Sequence, residues 1–212
     1  MFEFNHFESG RFTFCRCIIV KVVTKHVSMY IVSAHAPYLG CKVASHELWW
    51  PALAKNISEL CRDGVPCIIG IDGNVQSFSS LCDQFGLVGC INKPAPANFM
   101  SMCKFVQESG FRVANTFREN CSAHYVGNPF TYIDKCHEGV EKVLDYVLHN
   151  SKVTVVHESV CIDHSMTVNQ DIDDHVCMCV CLIVQFANCR IPEFRRKLGY
   201  DKNNMDNPEA RK

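Results

Sequence analysis

Six polar side chains stand where apolar runs stop. His35 closes "YIVSAHAP", Asp72 and Asn74 close "CIIGIDGN", Asp145 interrupts "KVLDYVL", and Asp174-His175 opens "HVCMCVCLIVQF" behind the acidic "QDIDD". A strand end is a rigid place from which to offer a side chain, and a carboxylate set among apolar residues needs a partner. If these ends converge, they form a pocket of carboxylates, two imidazoles and a carboxamide. Carboxylates with an amide oxygen are hard ligands suited to Mg²⁺ or Mn²⁺. A His beside an Asp can draw a proton from water or hold an imidazolium in place. Thr131-Tyr132, in the loop before the Asp145 run, completes the set of candidates.

The elements that must carry these residues follow from pattern. "RFTFCRCIIVKVV" and "MYIVSAHAP" read as strands joined by a turn at Lys25-His26. "SHELWWPALAKNISELCRDG" sets Trp49, Leu53, Ile57 and Leu60 at helical spacing; Pro51 is tolerated there in a first turn, and Gly64 serves as stop. "VPCIIGI" reads as a buried strand, and "NFMSMCKFVQESG" as a short helix with Asn98 as N-cap and Gly110 as stop. "FRVANTF", "VEKVLDYVLHN", "SKVTVV" and residues 175–186 complete the strands. Strand, strand, helix, strand, helix, then mostly strands is an α+β or mixed α/β order, not a repeating βαβ series.

At 212 residues and 48% hydrophobic, the chain can bury one substantial core, and 20% charged residues with a net charge of -1 exclude a disordered class. That balance gives no global attraction to nucleic acid or membrane, so a polyanion site must come from local charge or bound metal. Fifteen cysteines, an odd number without a small-scaffold framework, suit reduced thiols in an intracellular protein of the nucleus or cytoplasm, not a secreted one. No signal peptide or membrane-length apolar run is evident. The expected organisation is a domain over residues 1–188 and a charged tail or linker over 189–212.

Plainer readings stand beside the chemical ones. Asp72-Gly73-Asn74 could be a turn, His35 a strand-end residue with a backbone partner, and Asp145 an outward-facing acid. Asp174-His175 could be a loop acid and a surface imidazole. Cys177, Cys179 and Cys181 share one face of a strand and lack CxxC spacing, which favours core packing over zinc; Cys15 and Cys17 read likewise. Trp49-Trp50 reads as helix packing, and Arg195-Arg196-Lys197 as a solvated tail, with phosphate contact the alternative.

"SAHAPY", "IGIDGN", "FTYID" followed by "KVLDYVL", and "DDH" occur in the order found in the endonuclease/exonuclease/phosphatase superfamily, and over about residues 14–186 the chain resembles that family. "IDGN" resembles its Gly-Asp-x-Asn motif with Ile71 inserted, and "DDH" its Ser-Asp-His motif with Asp173 in the serine place. The resemblance implies a deoxyribonuclease-I-like two-sheet sandwich flanked by helices. It also implies a Mg²⁺- or Mn²⁺-dependent phosphodiesterase of the retroelement type that nicks DNA. Carried over by motif, His175 is the base or oriented imidazole and Asp145 its partner, and Asp174 helps hold the metal. Asp72 and Asn74 position nucleophile and phosphate, His35 serves the leaving side, and Thr131 bonds the phosphate.

The family's Asn and Glu strands, which precede the equivalent of residues 14–23, have no counterpart here; Glu3 and Glu8 are the early acids. The resemblance therefore implies a domain incomplete at its N-terminus, with a reverse transcriptase domain following it in a longer polyprotein. Two alternatives stay open: a phosphatase or lipid phosphodiesterase of the same fold, and a non-catalytic relic or binding module.

Overall fold

The structure, a computed structural model, describes residues 2–6, 16–23, 28–38, 43–61, 64–78, 82–134, 140–163 and 175–184. The expected turn at Lys25-His26, Cys15, Glu8, Asp173, Asp174 and the tail 189–212 lie outside the described residues.

In chain order the strands are β1 (Phe2–His6), β2 (Arg16–Val23), β3 (Ser28–His35), β4 (Cys67–Asp72), β5 (Arg112–Val113), β6 (Tyr132–Asp134), β7 (Val140–Lys142), β8 (Asp145–His149), β9 (Val153–Val155), β10 (Cys161–Asp163), β11 (Cys177–Cys179) and β12 (Leu182–Val184). The helices are α1 (Val43–Leu60), α2 (Ala97–Glu108) and the short α3 (Ala123–Gly127). A six-stranded sheet runs β1-β2-β3-β4-β8-β5, and three two-stranded ribbons pair β10 with β11, β12 with β9, and β6 with β7. The second layer expected from the sequence is thus divided into short ribbons. β1, with Glu3 in it, was not anticipated; it pairs antiparallel with β2.

Alternation explains the large sheet. In β3 Tyr30, Val32 and Ala34 are buried while Ile31 and Ser33 are exposed, and in β4 Cys67, Ile69 and Ile71 are buried while Gly70 is exposed. Tyr146 and Leu148 of β8 continue the buried side. These residues form one apolar core with Trp49, Trp50, Leu53, Phe99, Met102, Phe105 and Val106 of α1 and α2. One face of the sheet is therefore committed to the helices, and alternate residues project from the other.

Pro51 lies in the middle of α1, not in its first turn. An interior proline costs about 3 kcal/mol. Burial of Trp49, Trp50, Leu53 and Ile57, each at 7% exposure or less, offsets it, because a single buried side chain of this size contributes roughly 1.5–3 kcal/mol. Trp49 and Trp50 are core residues, as read from the sequence. Asn98 is not an N-cap: Pro96 occupies that place, and the buried Asn98 Oδ1 accepts from Trp50 Nε1 at 3.0 Å. Gly110, at φ 68°, does end α2, since that left-handed backbone favours glycine.

"FRVANTF" forms only a two-residue strand before a 3₁₀ turn at Ala114–Thr116. "VEKVLDYVLHN" divides into β7 and β8, and the run from residue 175 divides into β11 and β12. The last division has a topological cause: β11 pairs with β10 whereas β12 pairs with β9, so the chain changes partner at Val180-Cys181.

Candidate active site

Register draws the first three candidates into a row. His35 is the cross-strand partner of Asp72 in the parallel pair β3–β4, and Asp72 is the partner of Asp145 in the antiparallel pair β4–β8. Their neighbours Ala34, Ile71 and Tyr146 point into the helix-covered core, so all three candidates project from the opposite face. Adjacent strands lie about 4.8 Å apart, which sets neighbouring side chains within contact range.

Asp72 is the centre of the row. His35 Nε2 lies 3.1 Å from its Oδ2. Its Oδ1 accepts the backbone N–H of Asn74 at 2.9 Å, closing an Asx turn. Asn74 Nδ2 donates to the Ala36 carbonyl at 2.8 Å and lies 3.2 Å from Asp72 Oδ2. Asn74 takes φ 47°, a left-handed conformation that asparagine tolerates better than most residues. Its side-chain donor thus faces protein acceptors, and the phosphate contact expected for Asn74 gives way to orientation of Asp72. Gly73 is needed for a different reason: a Cβ there would meet the Tyr146 ring at 3.1 Å.

His175 joins the row from outside the sheet. Its Nδ1 lies 2.9 Å from Asp145 Oδ2, and its Nε2 lies 3.9 Å from Asp72 Oδ2. A carboxylate accepts, so Nδ1 is the protonated nitrogen and Nε2 of the neutral ring carries a lone pair towards the Asp72 side. Tyr132 pairs with His175 in an isolated antiparallel bridge, its ring 5.0 Å away edge-on.

Thr131, expected to bond a phosphate, is fully buried. Its Oγ1 accepts the backbone N–H groups of Leu144 and Asp145, both at 3.0 Å, and its carbonyl accepts from Val176 N at 2.8 Å. No phosphate reaches a group at zero exposure. Thr131 instead ties the residue that carries Asp145 to the segment that carries His175.

Two supporting residues escaped the sequence reading. Asn115, buried within "RVANTF", donates to the Asp145 carbonyl at 3.0 Å and accepts from Val147 N at 3.1 Å. An asparagine inside an apolar run was its only signal. Gln76 accepts from Val143 N at 2.8 Å and donates to the Gly89 carbonyl at 2.7 Å, bracing the loop before β8.

Electrostatics single out Asp72. Burial pushes its carboxyl above the ordinary range, the Asn74 amide opposes this, the Asp145 charge adds to it, and His175 and His35 oppose it. A partly buried carboxylate beside a second one is a place where a cation is stabilised. Among the described residues, Asp72, Asp145 and His175 are the only His, Cys, Asp or Glu group whose ligand atoms all lie within 4.8 Å of one another. Two carboxylate oxygens and an imidazole nitrogen fit a divalent ion such as Mg²⁺ or Mn²⁺. The set can also shuttle a proton: the half-exposed imidazoles of His35 and His175 flank one carboxylate.

No family model matches the sequence, and no curated protein matches it. Solved structures do. D. rerio TDP2 complexed with a single strand DNA product has 11% identity and a TM-score of 0.53, over 87% of this chain and 67% of that one. An endonuclease/exonuclease/phosphatase protein from Beutenbergia cavernae DSM 12333 has 14% identity and a TM-score of 0.51, over 80% of this chain and 39% of that one. The endonuclease domain of TRAS1, a telomere-specific non-LTR retrotransposon, has 13% identity and a TM-score of 0.50, over 80% of this chain and 64% of that one. The chain spans less than two thirds of the length of the last two. The likeness is one of fold: this chain has the α+β fold of the endonuclease/exonuclease/phosphatase proteins.

Proposed function

On that fold, we propose that the chain is a divalent-metal-dependent phosphodiester hydrolase that nicks DNA, of the kind carried by retroelements. The observation that carries the reading is the row His35–Asp72–Asp145, with His175 bonded to its far end. The likeness to the TRAS1 endonuclease domain and to TDP2 holding a single strand DNA product supports the substrate class.

Asp145 holds His175 by Nδ1–H, so Nε2 is free of a proton and takes one from water. Asp72, anchored by Asn74 and flanked by both imidazoles, orients that water. His35 Nε2 stands at the other side of Asp72, where an imidazolium gives its proton to the departing oxygen. Thr131 and Asn115 fix the strand start from which Asp145 acts. A metal held by the Asp72 and Asp145 carboxylates, with Asp174 proposed as a further oxygen donor, would neutralise charge on the phosphate oxygens while the Nε2 lone pair of His175 stays free to act as base.

Supercoiled plasmid with Mg²⁺ or Mn²⁺ tests the reading. The expected result is conversion to open circles by the wild-type chain, abolished by EDTA and reduced about 10²–10⁴-fold by His175→Ala. Asp174→Ala should also slow it. Cleavage that persists in EDTA, or that His175→Ala leaves unchanged, overturns the reading.

A further inference from the structure

Cys17 lies in the core as expected, whereas Cys177 and Cys179 are only half-buried and Cys181 is exposed. The cysteines that the fold brings into contact inside the core are two others, at the passage from α1 into β4. Cys61 follows the last residue of α1, and its N–H donates to the Ile57 carbonyl at 2.7 Å. Cys67 opens β4; its N–H donates to Asn150 Oδ1 and its carbonyl accepts from Asn150 N, both at 3.2 Å. The connection "RDGVP" is short and contains Gly64, whose φ of 77° is a left-handed backbone that favours glycine.

Both side chains belong to the same apolar core, Cys61 at 8% exposure and Cys67 at 2%. Their thiols are hydrogen-bonded to each other. Helix and sheet fix the backbone on either side, so the fold itself holds the two sulfurs together. The pair is also asymmetric. The S–H of Cys67 donates to Cys61 and pulls the Cys61 thiol below its ordinary value, against the effect of burial. The same bond, and then burial, pushes Cys67 up. Cys61 thus has the character of a reacting thiolate, and Cys67 of a protonated partner behind it.

We infer that Cys61 and Cys67 are a site of reversible oxidation by a hydroperoxide, Cys61 reacting first and Cys67 then closing a disulfide onto it. In the first step the Cys61 sulfur attacks one peroxide oxygen. An S–O bond forms, the O–O bond breaks, and the departing hydroxide takes the Cys67 proton as water. In the second step the Cys67 thiolate attacks the Cys61 sulfur. An S–S bond forms, the S–O bond breaks, and the second hydroxide leaves as water with the proton that Cys61 had released. Two thiols give up two electrons and one peroxide accepts them. Hydrogen peroxide is scarcely larger than water, and Cys61, at a helix end, is the more exposed of the two sulfurs. The disulfide ties the end of α1 to the start of β4. The site stands apart from the hydrolytic reading, because Cys67 and Asp72 occupy opposite ends of β4.

The test treats the full, reduced, folded chain with hydrogen peroxide, alkylates the remaining thiols with iodoacetamide in urea, and digests with trypsin. Cleavage after Arg62 separates the two cysteines, so their disulfide appears in mass spectra as linked peptides that dithiothreitol splits. The expected result is that linked pair with the loss of two alkylatable thiols, while Cys121, whose thiol burial pushes up to about 12, stays alkylatable. Cys67→Ala removes the closing thiol, and dimedone should then label Cys61 as its sulfenic acid. Circular dichroism matching the wild-type chain checks that this variant folds. Absence of the linked peptides from the oxidised wild-type chain overturns the inference, however the variant behaves. So does linkage spread evenly over Cys82, Cys90 and Cys121, or a folded Cys67→Ala chain whose Cys61 takes no dimedone.

Discussion

His175 and Asp145, thirty residues apart in the chain, meet at 2.9 Å through Nδ1 and Oδ2. The bond selects which imidazole nitrogen carries the proton, and so which one faces Asp72.

Asp145→Asn keeps the size of the side chain and removes its charge. The His175 tautomer and the stabilisation of its protonated form are lost together. A kcat lower by about 10²–10⁴-fold, with KM little changed, is the expected result of steady-state nicking assays.

Thr131→Val retains shape and deletes the oxygen that accepts from Leu144 N and Asp145 N. Leaving buried donors without a partner costs about 1–3 kcal/mol, read as a lower urea midpoint. Thr131→Ser, which restores the oxygen, should recover most of the loss in both stability and kcat.

Asp72→Asn separates stability from activity. Because the folded carboxyl is raised above its unfolded value, its contribution to stability is present at low pH and lost as pH rises through the folded value. At neutral pH the ionised group is a net cost that Asn lacks, while Asn can still accept from the Asn74 amide. The thermal midpoint should hold or rise at pH 7 while nicking falls at least as far as with His175→Ala.

His46 and His149 set the acid limit. Burial lowers both below the usual imidazole value, against opposing hydrogen bonds to Tyr38 and Asn98 for His46 and to the Asn150 and Val153 carbonyls for His149. The unfolded chain therefore binds protons first. Stability should be full above about pH 6.5 and decline as pH falls from there towards the folded-state values. Urea midpoints measured across that range check it, and His149→Gln should flatten the slope.

The row of His35, Asp72 and Asp145 was legible because each residue ends or interrupts an apolar run, and such a place is a strand terminus whether or not the partner strand is known. What the runs do not encode is who pairs with whom. The motif assigns Thr131 to a phosphate, yet the fold turns its hydroxyl onto two backbone amides. Asn98 had the composition of a cap, but Trp50 needed its oxygen. The run from residue 175 reads as one strand because only Gln185 breaks its apolar content; the change of partner at Val180-Cys181 is a tertiary event with no local mark. Asn115 gave one weak sign, a polar side chain where the pattern asked for an apolar one.

The shared register of β3, β4 and β8 makes spacing inside those strands a form of information. One extra residue in β4 ahead of Asp72 would turn its carboxylate towards the helices and bring Ile71 to the outer face, leaving His35 and Asp145 without their common neighbour. A residue added in the turn at Ser151-Lys152, beyond the far end of β8, changes no such parity. Length variation among natural or engineered copies should therefore collect in the connections and be almost absent between Tyr30 and His35, Cys67 and Asp72, and Asp145 and His149.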